Sequence, residues 1–117
     1  MNQNLPFEVL RQLRAQGRTL ATAESCTGGL IGKLLTDVPG SSEVYMGGVI
    51  SYTNGVKHRL LGVSEDTLRV YTAVSRQTAH EMARGAREAV QAGAIDVLCS
   101  DYYPAALLDA VFTLRDQ

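Results

Sequence analysis

Apolar residues recur at helical spacing in several stretches of the chain and at strand spacing in others. Phe7, Leu10 and Leu13 share one face of a helix over Pro6–Gln16, with Pro6 suited to its first position and Gly17 to its stop. Thr19–Ala23 reads as a strand. Leu30, Ile31, Leu34 and Leu35 then mark a helix over Thr27–Leu35. A second strand, Val44–Thr53, puts Val49 and Ser51 on one face and Ile50 and Tyr52 on the other, and Gly47-Gly48 predicts a bulge or a close backbone approach. Asn54 is placed to cap a short helix, Gly55–Leu61, closed by Gly62, and Ser64 to cap a turn through Leu68. The longest helix opens at Ser75 and runs to about Gln91, with an apolar stripe of Ala79, Met82, Ala83, Ala86, Ala89 and Val90 and a stop at Gly93. Ile95–Cys99 is a third strand, and Leu107, Ala110, Val111 and Leu114 predict a last helix after Asp101–Pro104.

Strands alternating with helices imply an α/β fold: a three-layer-type domain around a small mixed sheet, with residues 1–117 as one domain. A doubly covered sheet usually has more strands than the three read here, so the domain is expected to be truncated by one or two βα units. An uncovered sheet edge would leave a surface for a homo-oligomer.

Composition narrows the function. A net charge of −1 gives no basic footprint for nucleic acid, and no apolar run approaches the ~18 residues of a membrane span. The first residues, Met1 to Pro6, lack the cationic and apolar regions of a secretory leader, which points to the cytoplasm and to reduced thiols at Cys26 and Cys99.

The candidate chemistry centres on Glu24-Ser25-Cys26-Thr27-Gly28-Gly29, where a strand turns into a helix. One reading is a capped turn, with Ser25 and Thr27 satisfying backbone donors and the glycines supplying positive φ. The other makes Ser25 a nucleophile facing helix N–H groups able to hold an oxyanion or a phosphate. A serine needs a base within reach. Lys57, just past the end of the second strand, fits that role if the two strands lie side by side, with Tyr52 as a supporting hydroxyl. The alternative is a solvated Lys57 and a half-buried Tyr52. His58 and His80 carry no partner pattern and read as surface residues. Gly28–Lys33 departs from the phosphate-loop spacing, because Gly32 comes one residue early and Leu34 follows the lysine. Asp101 stands past a strand end as a metal ligand, a base or a helix cap, and no ligand cluster accompanies it.

These residues resemble the CinA C-terminal domain family, which includes stand-alone nicotinamide-nucleotide amidases. The resemblance rests on Ala21–Gly29, Gly40-Ser41-Ser42, Gly48–Asn54, Lys57, Leu61-Gly62-Val63 and Ala73-Val74-Ser75, in collinear order from about residue 7 to about residue 86. It implies hydrolysis of nicotinamide mononucleotide to nicotinate mononucleotide and ammonia. Ser25 would be the nucleophile, Lys57 its base and Tyr52 a supporting hydroxyl. Glu24, Cys26, Thr27, Gly28, Gly29 and Asn54 would line the nucleotide, with no metal or cofactor required. The family continues with a glycine-rich Thr-Gly-Ile-Ala-Gly-Pro segment that these residues lack. Instead, residues 86–113 are similar to a segment near the C-terminal end of PhnM, a metal-dependent hydrolase in which the counterpart of Asp101 is a metal-site residue. The two resemblances together imply a fusion near Arg84–Arg87. They leave open an inactive product, or a non-catalytic nucleotide-binding or interaction domain.

Overall fold

A computed structural model describes residues 4–90 throughout and the backbone of residues 95–99 and 111–112. The elements run α1 (Leu5–Ala15), β1 (Thr19–Glu24), α2 (Leu30–Thr36), β2 (Tyr45–Ile50), α3 (Asn54–Leu61), α4 (Glu65–Tyr71), α5 (Arg76–Val90), β3 (Ile95–Cys99) and β4 (Val111–Phe112), with a 3₁₀ turn at Ser41–Glu43 before β2. The sheet order is β2-β1-β3-β4. Strand β1 is parallel to both of its neighbours and β4 is antiparallel to β3, so the expected mixed sheet is present.

Side chains of β1 alternate between two cores, as the strand period requires. Leu20 packs with Leu10, Leu13, Ile31, Leu35 and Val44 under α1 and α2. Ala21 and Ala23 pack with Leu61, Val63, Ala79, Met82, Ala83 and Ala86 under α3 and α5. The result is the three-layer α/β arrangement, with helices on both faces of the sheet. No helix among the described residues is long and apolar enough to cross a membrane.

Several boundaries differ from expectation for local physical reasons. Helix α2 begins at Leu30 instead of Thr27, because Gly28 and Gly29 take φ of 70° and 117°, outside the helical region. Strand β2 ends at Ile50, before Thr53. The cap of α3 is Thr53, not Asn54: Thr53 is extended and its hydroxyl accepts the Val56 N–H at 3.2 Å. The turn after Ser64 continues as a helix to Tyr71, capped by the Ser64 hydroxyl. The α5 stripe holds at Ala79, Met82, Ala83 and Ala86, whereas Ala89 is exposed. The irregularity foreseen at Gly47-Gly48 is a register shift in which Leu20 faces Tyr45 and Ala21 faces Gly47.

The largest correction concerns Val111, expected on a helix. It pairs with Leu98, and Phe112 with Val97, as an antiparallel edge. β-branched and aromatic residues suit a pleated surface, and long-range pairing overrides the helical spacing. Gly93, Asp101 and the remainder of the predicted last helix lie outside the described residues.

Helices α3 and α5 touch backbone to backbone. A Cβ added at Gly85 would stand 1.9 Å from the Leu61 carbonyl oxygen, and a main-chain atom cannot rotate away. Gly85→Ala is expected to destabilise the protein by about 3 kcal/mol, read as a lowered midpoint in thermal denaturation. Thr53→Ala should cost about 1 kcal/mol by loss of the α3 cap, while Asn54→Ala should cost much less. Equal effects of the two substitutions in denaturant titrations would contradict the assignment of Thr53 as cap.

Candidate active site

The C-terminal ends of parallel strands are where open α/β sheets gather their chemistry. Here β1 and β2 run side by side, with Glu24 opposite Ile50, and the chain turns away from both strands at that edge. Ser25 follows the last residue of β1 and is 4% exposed. Its carbonyl accepts the Gly28 N–H at 3.0 Å, which closes the turn into α2.

Lys57 reaches this turn from α3 and is 1% exposed. Its Nζ donates to Ser25 Oγ at 2.8 Å and to the Ser51 carbonyl at 2.9 Å, with a longer contact of 3.4 Å to the Tyr52 carbonyl. The solvated alternative for Lys57 is therefore ruled out. A buried amine is tolerated only when hydrogen-bonded, and these acceptors supply the bonds. Leu61, Val63 and Met82 belong to the apolar core on the same face of the sheet.

Tyr52 contributes differently from expectation. The residue is 72% exposed, so it is not a half-buried strand residue, and its carbonyl rather than its hydroxyl meets Lys57. Among the described residues its hydroxyl forms no hydrogen bond to Ser25 or Lys57. Cys26, Thr27, Gly28 and Asn54 are exposed around the turn, and Gly29 is half-buried, where a Cβ would stand 3.1 Å from Ile50 Cδ1.

Glu24 also sits differently. It is buried, and its oxygens accept the N–H groups of Ile31 at 2.7 Å and Gly32 at 3.0 Å. Thr27 Oγ1 accepts the N–H groups of Leu30 at 3.1 Å and Gly29 at 3.4 Å. The α2 donors expected to hold an oxyanion or a phosphate are thus taken by side chains of the same turn. A carboxylate already complements that helix end. Glu24 is buried with its carboxyl group directed at the start of α2.

The histidines stand apart from this centre. His58 Nδ1 lies 2.8 Å from the Val63 carbonyl and its Nε2 lies 3.3 Å from Glu65, while His80 is exposed. No group of three His, Cys, Asp or Glu residues able to hold a metal occurs among the described residues.

Ser51, Thr22 and Tyr45 escaped the sequence reading. Ser51 is fully buried, its N–H donates to the Glu24 carbonyl at 2.8 Å, and its hydroxyl has no partner among the described residues. Thr22 bridges Glu24 and Tyr45. Polar residues at 22 and 24, on the same face of β1 as Leu20, are the signal that marks this side of the site.

The family model described as the CinA C-terminal domain matches residues 2–95, past the limit near residue 86 set by the motifs. The chain is 50% identical over 84 residues to a CinA-like protein of Thermotoga neapolitana, covering 72% of this chain and 21% of that one. It is 58% identical over 81 residues to a CinA-like protein of Leptospira interrogans, covering 68% and 19%. It therefore spans about a fifth of the length of these curated relatives. The solved competence/damage inducible protein CihA of Agrobacterium tumefaciens superposes with a TM-score of 0.75 at 41% identity, over 83% of this chain and 58% of that one. A CinA superfamily protein of Escherichia coli superposes with a TM-score of 0.77 at 35% identity, over 83% and 55%. With the family model matching from the first helix into the third strand, this chain belongs to the CinA C-terminal domain family.

Proposed function

We propose that this chain carries the nucleophile centre of a serine–lysine amidase acting on the carboxamide of nicotinamide mononucleotide. The observation that carries this reading is the 2.8 Å contact between two buried side chains, Lys57 Nζ and Ser25 Oγ. To act as a base, Lys57 works as the neutral amine, which has two N–H bonds and one lone pair. In that form the lone pair accepts the Ser25 proton across the 2.8 Å contact, and the Ser51 and Tyr52 carbonyls are acceptors for N–H bonds of the same amine. Main-chain acceptors suit this task because they neither ionise nor rotate away.

In the first half-reaction Ser25 Oγ bonds to the carboxamide carbon as its proton passes to Lys57 Nζ. The C–N bond then breaks, and the proton leaves Nζ with the departing nitrogen as ammonia. In the second half, water gives a proton to Nζ and attacks the acyl carbon, the acyl C–Oγ bond breaks to release the nicotinate product, and the proton returns from Nζ to Ser25 Oγ. The exposed rim of Cys26, Thr27, Gly28 and Asn54, together with the Tyr52 ring, is the surface on which the nucleotide would lie. The PhnM-like stretch is read as scaffold, with β3 supporting β1 and no metal chemistry assigned to Asp101.

The test is ammonia release from nicotinamide mononucleotide, followed by an enzyme-coupled assay. Ser25→Ala should remove turnover. Lys57→Met, close in shape but with no proton acceptor, should lower kcat by about 10²- to 10⁴-fold. Release that survives Ser25→Ala, or a wild-type protein that binds the nucleotide calorimetrically without turnover, would overturn the amidase reading.

A further inference from the structure

Ser25 is gripped from one face of the sheet by Lys57, and a second set of contacts approaches from the other face. Thr22 and Glu24 alternate with Ala21, Ala23 and Ser25, so their side chains point toward α2. The Thr22 hydroxyl donates to Glu24 Oε2 at 3.0 Å and lies 2.8 Å from the Tyr45 hydroxyl. A threonine hydroxyl has one proton, so the Tyr45 hydroxyl is the donor in the second bond. Burial pushes the Tyr45 phenol above its ordinary range, which keeps that donor protonated. Beyond Glu24 the chain of bonds continues into the Ile31 and Gly32 N–H groups of α2.

The packing around these groups leaves no room for a different arrangement. A Cβ at Gly48 would stand 2.2 Å from Thr22 Oγ1, and one at Gly32 would stand 2.8 Å from the Tyr45 hydroxyl and 3.0 Å from Glu24 Oε2. The same residue also holds the neighbouring strand, since the Glu24 carbonyl accepts the Ser51 N–H at 2.8 Å.

We infer that Tyr45, Thr22 and Glu24 form a positioning strut, from β2 through β1 into α2, that fixes the Ser25 turn against Lys57. None of the three touches the reacting atoms. They act by holding the peptide that follows Glu24, on which the Ser25 Oγ to Lys57 Nζ geometry depends. The inference rests on the reading of Ser25 as a nucleophile, because a strut matters to rate only if that geometry does. Small displacements of a positioned nucleophile are costly, up to about 10²-fold for an ångström.

Thr22→Val keeps the shape and removes the hydroxyl, Thr22→Ser keeps the hydroxyl, and Tyr45→Phe removes only the far end of the strut. All are compared with wild type well below their melting temperatures. The first readout is hydrogen exchange at the Ile31 and Gly32 amides. The second is the rate at which phenylmethylsulfonyl fluoride sulfonylates Ser25, followed by intact mass, in which an Oγ–S bond forms and fluoride and a proton leave. Thr22→Val should speed exchange and slow sulfonylation by about tenfold. Thr22→Ser should restore both, and Tyr45→Phe should move both less far in the same direction.

A Thr22→Val protein that melts lower yet is sulfonylated at the wild-type rate overturns the strut and leaves the amidase reading standing. Wild-type protein that is not sulfonylated at Ser25 overturns the nucleophile reading and with it the strut's bearing on rate. Exchange at Ile31 and Gly32 unchanged by Thr22→Val overturns the strut on mechanical grounds alone.

Discussion

A lysine amine taken out of water is among the least favourable groups a small domain can bury, and this fold is arranged so that one can be. Removing the charged form from water costs several kcal/mol after relaxation, and removing even a neutral amine leaves donors that must be matched. Three acceptors among the described residues meet Lys57, from two strand ends: the Ser25 hydroxyl past β1, and the Ser51 and Tyr52 carbonyls past β2. They converge only if β1 and β2 end level with each other and α3 folds back across them. The β1–β2 register, the Thr53 cap and the close seat of α3 on α5 at Gly85 all serve that convergence. The Ser25–Lys57 contact and the burial of the amine thus impose the same constraint.

The two faces of β1 divide the work. On the α3 and α5 side, alanines at 21 and 23 let the helices approach closely, and the strand ends in Ser25. On the α2 side, the polar pair Thr22 and Glu24 stands where apolar residues would ordinarily pack. A buried carboxylate that meets helix N–H groups is well matched, since donor bonds and the helix dipole favour the charge together. It also fills the anion-holding end of α2.

Much of this was legible in the sequence. Spacing and capping residues located α1, α2, α3, α5 and the first three strands, because amphipathic period and caps are local signals, whereas α4 reads from sequence only as a turn. The juxtaposition of Ser25 and Lys57 followed from the rule that sites gather at strand ends. What spacing could not supply was three-dimensional. A polar residue reads as solvated until tertiary packing buries it, so spacing alone leaves a solvated Lys57 open as an alternative and does not reveal that Glu24 is buried. The choice between Thr53 and Asn54 as cap turns on one dihedral angle, and the fate of Val111 turns on a strand remote in sequence.

The two parallel pairings of β1 also differ in the length of chain they close. Residues joined across β1 and β2 are separated by roughly 25 positions, and those across β1 and β3 by roughly 75, a difference of about 1 kcal/mol in loop-closure entropy. Helix α3 lies just beyond β2, and the Ser25–Lys57 bond spans 32 positions. Every group that holds the Lys57 amine among those described belongs to the segment that closes on itself at the lower entropic cost. The described contacts of Lys57 thus lie in the part of the chain with the shorter loop to close.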